Sequence, residues 1–202
     1  MSLNKAKVIT ITSVKGGVGK TTTVLNLAGI YSRLNKKVLV VDLDFYSGDI
    51  AASLNISYDN DIYNLYEDLN NNKFNSFDDY VNSYNDNISI LAAPKDPRLA
   101  RKITSKVLNL ILYKASLKYD LILIDTNHIL TDINLFAFDY SDKIVYIINN
   151  DSMNLKNMKT MVSILNDMGK KNYRIILNES NYKGKDYYNK FDIKNIINKN
   201  VN

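Results

Sequence analysis

The sequence predicts a three-layer α/β/α fold built around a mostly parallel β-sheet. Short apolar runs rich in Val, Ile and Leu alternate along the chain with segments whose apolar residues recur at helical spacing. Runs such as residues 38–41 are continuously apolar, which is typical of strands buried on both faces. A glycine-rich turn separates the first strand pattern from the first helix pattern. These three observations indicate strand–helix units joined by right-handed crossovers.

Six strands and several helices are expected in chain order. The strands are predicted over residues 8–14, 38–44, 88–94, 119–125, 143–149 and 173–178. Longer helices are predicted over residues 20–34, 98–117 and 155–168, and shorter ones around residues 62–69, 74–81 and 191–198. Gly169 is expected to end the third long helix. The polar stretch 55–87 is interpreted as a surface excursion rather than a separate domain.

Composition narrows the class of protein. With 202 residues, 46% hydrophobic and 23% charged, the chain has the make-up of one globular domain with a substantial core. No apolar run approaches the roughly 20 residues that span a bilayer, and no secretory leader is recognised. The absence of cysteine excludes disulfides and thiolate metal sites, so a cytoplasmic location is predicted. The net charge of +5 lies mainly in residues 170–202, interpreted as a solvated surface.

The turn after the first strand carries a phosphate-binding motif. It reads Lys15-Gly16-Gly17-Val18-Gly19-Lys20-Thr21-Thr22 and ends in the Gly-Lys-Thr of a P-loop. Its glycines allow successive backbone N–H groups to point at phosphate oxygens, and the following helix presents its positive end to the same anion. Lys20 is expected to reach the β- and γ-phosphates, and the Thr21 hydroxyl to bind Mg²⁺. The predicted cofactors are therefore ATP and Mg²⁺.

Carboxylates close two of the predicted strands. Asp42 and Asp44 end the second strand, and Asp125 ends the fourth. Residues two apart in a strand point the same way, and the carboxyl end of a parallel strand lies beside the P-loop. Asp125 fits a Walker B-type acid that holds Mg²⁺. For the pair, one acid near the metal and one positioning the attacking water is the preferred interpretation.

Three motifs resemble those of the ParA/MinD family of deviant-Walker ATPases, and the resemblance extends over residues 5–197. They are Lys15–Thr22, Val38–Asp44 and Leu121–Asp125. The early lysine of the P-loop distinguishes this family from ordinary P-loop proteins. The resemblance implies an ATP-dependent homodimer that sandwiches nucleotide. Binding and slow hydrolysis of ATP would switch the dimer on and off a partner or a surface.

The resemblance also implies roles for individual residues. Lys15 would reach the ATP of the second subunit, and Asp44 would orient the attacking water. Asp42 and Thr21 would lie around Mg²⁺. Asn178 resembles the asparagine that ends the sixth strand and can touch adenine.

Finer similarities point to the TadZ/CpaE branch, which places and assembles the Tad-type pilus secretion machinery. They are the segments Asp42–Ala51, Leu91–Pro94 and Asp139–Ile148. This branch implies a protein partner in a polar or secretion assembly. It also implies recruitment to the inner face of the cell membrane or to a cell pole.

Four other functions are compatible with parts of the sequence. A ParA-like partition ATPase would bind DNA through basic residues, and a MinD-like switch would bind a membrane through an amphipathic helix at residues 190–199. The other two are a scaffold that binds nucleotide without hydrolysis and a tyrosine kinase. The scaffold is disfavoured by Lys15, Asp44 and Asp125. The kinase is disfavoured because the 15 tyrosines are dispersed.

The sequence departs from the family pattern in two places. Asn127 stands where the family usually has Pro or Gly after the Walker B acid. The neighbouring His128 is assigned no role, because a lone histidine is more often structural than catalytic. Relatives usually add a further strand and C-terminal helices, so residues 1–202 are expected to form a single P-loop ATPase domain without them. The missing strand and helices would be explained if the sequence is a piece of a longer protein or if the protein has a reduced sheet.

Overall fold

Seven strands form one sheet in the computed structural model, which describes residues 5–179 and 188–199. Strands β1 to β7 span Lys7–Thr12, Val38–Leu43, Asn82–Ser83, Ile88–Leu91, Leu121–Thr126, Lys143–Ile148 and Tyr173–Leu177. Their order in the sheet is β3-β4-β2-β5-β1-β6-β7. Every pairing is parallel except that of the two-residue β3 with β4. The predicted mostly parallel α/β fold is confirmed.

Seven α-helices connect or flank these strands in the described part of the chain. Helices α1 to α7 span Lys20–Arg33, Asp49–Ser53, Ile62–Asn70, Ser105–Ser116, Asp132–Tyr140, Ser152–Asp167 and Lys190–Ile197. Two 3₁₀ segments cover Phe77–Tyr80 and Pro97–Lys102. None of the described helices is long and apolar enough to cross a membrane. Sequence reasoning missed β3, α2 and α5, because the first two are very short and α5 has apolar side chains around most of its circumference.

Several predicted boundaries were wrong. The helix expected over residues 98–117 is divided into a 3₁₀ segment and α4, because Ile103 and Thr104 are extended. Leu34, expected on the buried face of α1, is 62% exposed. The first strand ends at Thr12, since the Ser13 hydroxyl donates to the Lys15 carbonyl oxygen at 2.6 Å and begins the turn. The end of α6 was predicted correctly, because Gly169 follows it with a left-handed φ of 67°.

The two faces of the sheet are covered by different helices. Val38 and Val40 of β2 pack in one core with Val24 and Ala28 of α1. The alternate residues of β2 point to the other face and pack with α3, α4 and α5. A third core holds β6, β7, α6 and α7. The predicted surface excursion contributes buried Ile62 to the second of these cores, so it is packed onto the sheet rather than looped out.

The order of the strands places the P-loop at the centre of the sheet. β1 lies between β5 and β6, and β2 lies on the other side of β5. Asp42 and Asp125 are register partners at the ends of β2 and β5. Because parallel strands share one carboxyl edge, the P-loop and both acid-ended strands converge there.

Candidate nucleotide site

The P-loop has a backbone conformation that needs glycine. Gly17 and Gly19 have φ values of 71° and 95°, in the left-handed region that side chains disfavour. A Cβ atom on Gly19 would lie 2.6 Å from the Asn178 side-chain nitrogen, which is closer than any real contact. Asn178 donates from that nitrogen to the Val18 carbonyl oxygen at 2.9 Å. Asn178, which follows β7, therefore holds the P-loop through this hydrogen bond.

The N-terminus of α1 is suited to bind an anion. Its N-cap residue, Gly19, provides no side-chain cap, and no acidic residue occupies the first turn. The N–H groups of that turn have no partner within the helix, so they point at the space in front of it. Lys20 begins the helix and is 8% exposed. These features fit the phosphates of a nucleotide.

A cavity of about 330 Å³ opens in front of this helix start. It is lined by Gly16, Gly17, Gly19, Lys20, Thr21, Asp44, Tyr46, Ser47, Asp49, Asn127, His128 and Ile129. Five of these were predicted from the P-loop motif, and Asp44 from the end of β2. The others lie in the loop after β2, at the first residue of α2 and in the loop after β5, and sequence reasoning assigned none of them to the nucleotide site.

Thr21 and Asp125, two of the three predicted metal ligands, are in direct contact. The Thr21 hydroxyl donates to Asp125 Oδ2 at 2.7 Å, although the two residues are 104 positions apart. The other oxygen, Oδ1, is buried and has no hydrogen-bond partner among the described residues. Hydroxyl and carboxylate oxygens are ligands that Mg²⁺ prefers. The pair thus fits one Mg²⁺ that takes its other ligands from water and phosphate. No group of three or more His, Asp or Glu side chains within the described ranges could hold a metal.

Burial raises the pKa values of both strand-ending acids. The pKa of Asp125 is raised to about 6 by burial, against the lowering effects of the Thr21 hydrogen bond and the Lys20 charge. The pKa of Asp42 is raised well above its ordinary value by burial and then by the charge of Asp125. A cation beside Asp125 would favour its ionised form and offset part of this cost.

Asp42 supports the turn that carries Asp44. Its Oδ1 accepts from the Asp44 backbone N–H at 3.0 Å and its Oδ2 from that of Ile50 at 3.3 Å. Gly48, with a φ of 60°, closes this turn, and Asp44 lines the cavity. The structure thus gives Asp42 a positioning role and leaves Asp44 facing the cavity. Metal binding by Asp42 stays a prediction.

Lys15 is paired within its own chain. Its ammonium lies 3.2 Å from Asp151 Oδ2, and Asp151 Oδ1 caps α6 by accepting from the Asn154 N–H at 2.9 Å. Sequence reasoning did not identify Asp151 as a partner of Lys15. An acid three residues before a helical Asn is a capping signal, but no local pattern relates it to the P-loop.

Comparison with known proteins identifies the family. A family model described as an AAA domain (AAA_31) matches residues 6–178. The chain belongs to this family, within the ParA/MinD group of P-loop ATPases. The ParA/MinD resemblance is thereby confirmed at the level of the family.

Individual ParA/MinD proteins are similar to this chain over different fractions of their length. The chromosome-partitioning ATPase Soj of Thermus thermophilus is 44% identical over 61 residues, which are 30% of this chain and 24% of Soj. A ParA family ATPase from Chlorobium tepidum has a TM-score of 0.86 at 18% identity, covering 98% of this chain and 83% of its own. MinD from Pyrococcus horikoshii, solved with Mg-ADP, has a TM-score of 0.80 at 22% identity and coverages of 97% and 79%. The matched segment thus spans about a quarter of Soj, whereas the fold is shared over most of both solved structures.

Proposed function

We propose that this ParA/MinD-family chain binds Mg-ATP, hydrolyses it slowly and uses the cycle to switch between monomer and homodimer. The observation that carries the proposal is the Thr21–Asp125 hydrogen bond, 2.7 Å long, beside a helix N-terminus without a side-chain cap. Together they provide a metal-binding pair next to a phosphate cradle. The relative from Pyrococcus horikoshii, solved with Mg-ADP, supports the same choice of ligand.

Each residue has a defined role in this proposal. Lys20 and the N–H groups of the P-loop bind the β- and γ-phosphates, and Thr21 and Asp125 hold Mg²⁺. Asp44, at the edge of the cavity, orients the attacking water. Asp42 keeps the Asp44 turn in place through its two backbone hydrogen bonds. Bound Mg²⁺ would supply neutralisation of the charge that develops on the phosphates.

Lys15 is available for a second subunit at small cost. Its ion pair with Asp151 joins side chains that are 48% and 23% exposed. Pairs this accessible contribute on the order of 1 kcal/mol or less, because water screens them. We infer that Lys15 exchanges Asp151 for the phosphates of the opposite subunit when the ATP dimer forms.

The solution mass of the chain tests the switch. We expect a dimer with Mg-ATP and a monomer with Mg-ADP when light scattering is measured on the eluting peak. Lys20→Ala is the matched control, because it removes a phosphate contact and should remain monomeric with either nucleotide. A wild-type chain that binds ATP and stays monomeric would refute the switch.

The partner of the switch is proposed separately from its mechanism. We infer a Tad-type pilus or secretion assembly from the similarity of segments 42–51, 91–94 and 139–148 to the TadZ/CpaE branch. Similarity to Soj supports a DNA-partition role equally well. DNA binding that requires ATP and falls steeply with added salt would favour partition. Its absence, with ATP-dependent capture of a pilus component, would favour the first.

The membrane alternative has less structural support. Most of residues 190–199 belongs to the ordinary helix α7, Lys190–Ile197, whose Ile193 and Ile197 are fully buried against the rest of the domain. Phe191 alone among its large apolar residues is strongly exposed, at 70%. A helix whose apolar face packs against its own domain has few apolar side chains available to insert into lipid.

A further inference from the structure

We propose that His128 is a phosphate-contacting residue that recognises the terminal phosphate of ATP. The inference rests on the proposed ATP binding and deepens it by assigning a residue outside the P-loop and the strand-ending acids. His128 lines the cavity of about 330 Å³ together with Lys20, Thr21 and Asp44. His128 is the single histidine in the sequence.

The position of the imidazole against the P-loop is the first argument. A Cβ atom on Gly16 would lie 3.9 Å from His128 Nδ1 and 4.0 Å from Cε1. These are ordinary van der Waals distances, so the ring lies on the side of Gly16 from which a side chain would project. An imidazole there faces the same space as the loop's N–H groups and Lys20.

The loop that carries His128 is fixed on both sides of it. Asn127 Oδ1 accepts from the Ile129 N–H at 3.0 Å and from Asn134 Nδ2 at 2.9 Å. Asn134 Nδ2 also donates to the Ile129 carbonyl oxygen at 2.8 Å. Both asparagines are buried, with exposures of 7% and 1%. Asn127 and Ile129, the residues on either side of His128, are therefore both bonded to Asn134 of α5, and the His128 side chain lines the cavity from a fixed loop.

The side-chain oxygen of Asn127 makes this anchoring possible. A proline or glycine at this position would have no side-chain oxygen to accept these two hydrogen bonds. The departure from the family pattern at Asn127 and the exposed His128 beside it are thus parts of one structure. The two asparagines are positioning residues, and His128 is the group that meets the ligand.

The chemistry of imidazole suits a terminal phosphate. Imidazole keeps at least one N–H donor in either protonation state, so it can donate to a phosphate oxygen throughout the physiological pH range. The cavity also holds Asp44, which we place next to the attacking water, and the water must approach the γ-phosphate. The His128 N–H shares this space and therefore contacts the γ-phosphate, which ATP has and ADP lacks.

Binding of two nucleotides separates this role from a structural one. We expect His128→Ala to weaken the affinity for Mg-AMPPNP by roughly tenfold, because a hydrogen bond to a charged group is lost. Its affinity for Mg-ADP should stay within about twofold of wild type, because ADP lacks the contacted phosphate. His128→Gln should recover much of the loss, since an amide N–H can replace the imidazole N–H. Isothermal titration calorimetry on the full chain gives all three values.

Leu130→Ala is the matched control, because it alters the same loop at a side chain that does not line the cavity. It should leave both affinities unchanged. Equal weakening of both nucleotides by His128→Ala, or no effect on either, would overturn the assignment while leaving the proposed function intact. A wild-type chain that binds neither nucleotide would instead refute the proposed function and the assignment together.

Discussion

At the scale of single residues, burial and charge conflict most clearly at Asp125. This acid is 1% exposed, and one of its oxygens has no hydrogen-bond partner among the described residues. Its pKa is raised to about 6, mainly by burial. A structural role would favour a neutral residue here. The buried carboxylate at this position therefore supports the binding role proposed for it.

Replacing Asp125 by Asn should stabilise the protein in the absence of Mg²⁺ and nucleotide. An acid whose pKa is higher in the folded state destabilises the fold increasingly as pH rises from its unfolded value of about 4 to about 6. At about pH 7.5 we expect Asp125→Asn to raise the free energy of unfolding by about 2–3 kcal/mol. Urea unfolding measures this.

The same measurement near pH 4 provides the control for Asp125→Asn. There Asp125 is mostly protonated in the folded state, so the gain should shrink below about 1 kcal/mol. An equal gain at both pH values would show that its source is packing rather than the buried charge.

At the scale of elements, helix α3 shows how one side chain connects a helix to the sheet. Asp61 Oδ1 caps α3 by accepting from the N–H groups of Tyr63 and Asn64 at 2.7 and 3.1 Å. Asn64 completes a capping box by accepting from the Asp61 N–H at 2.9 Å. The second Asp61 oxygen accepts from the Lys95 N–H, also at 2.9 Å. The excursion over residues 55–87 is thereby attached to the segment after β4.

Asp61→Ala should destabilise the domain more than an ordinary cap deletion. We expect a loss of about 2 kcal/mol in the free energy of unfolding, because both the cap and the buried acceptor for Lys95 disappear. Asp61→Asn is the matched variant. It keeps one oxygen for the cap and should lose about half as much. Chemical denaturation of the three proteins measures this. If the Ala and Asn variants were equally stable, the cap would contribute nothing.

At the scale of the whole molecule, the site depends on contacts between distant parts of the chain. Lys15 and Asp151 are 136 positions apart, and they meet because β6, which leads into α6, is the neighbour of β1. The same edge of the sheet carries the P-loop and the Asp44 turn. A second subunit that approaches this edge would meet all of these groups at once.

Lys15→Ala should separate nucleotide binding from dimerisation. Its ammonium points at α6 rather than into the cavity of its own chain, so the affinity for Mg-ATP should change by less than about threefold. The dimer, however, should not form, because the proposed cross-subunit contact is lost. Light scattering with Mg-ATP measures the mass, and calorimetry measures the affinity.

Asp44→Ala is the matched control for Lys15→Ala. Loss of the proposed water-orienting acid should leave a dimer that forms with ATP and persists because hydrolysis is slow. A Lys15→Ala protein that dimerises like wild type would remove Lys15 from the interface. Normal turnover by Asp44→Ala would remove Asp44 from the mechanism.

The sequence by itself determined the elements whose signals are local. The P-loop motif, the apolar strands and the acids that end two of them follow from residue types at short spacings, and the structure forms six of the seven strands near their predicted positions. Helix ends were predicted less accurately than strands. The helix expected over residues 98–117 is divided because Pro97 starts a 3₁₀ segment and Thr104 is an extended N-cap of α4. Gly169 was recognised because a left-handed residue after a helix has a local signature.

Only the tertiary structure decided which distant side chains share the site. The Thr21–Asp125 bond, the Lys15–Asp151 pair and the placement of His128 on the open side of Gly16 all depend on the order β2-β5-β1-β6. That order results from burying both faces of the sheet under helices, which is a property of the complete fold. Local spacing determines where a side chain points along its own strand or helix. It contains no information on which loop another strand will bring beside it.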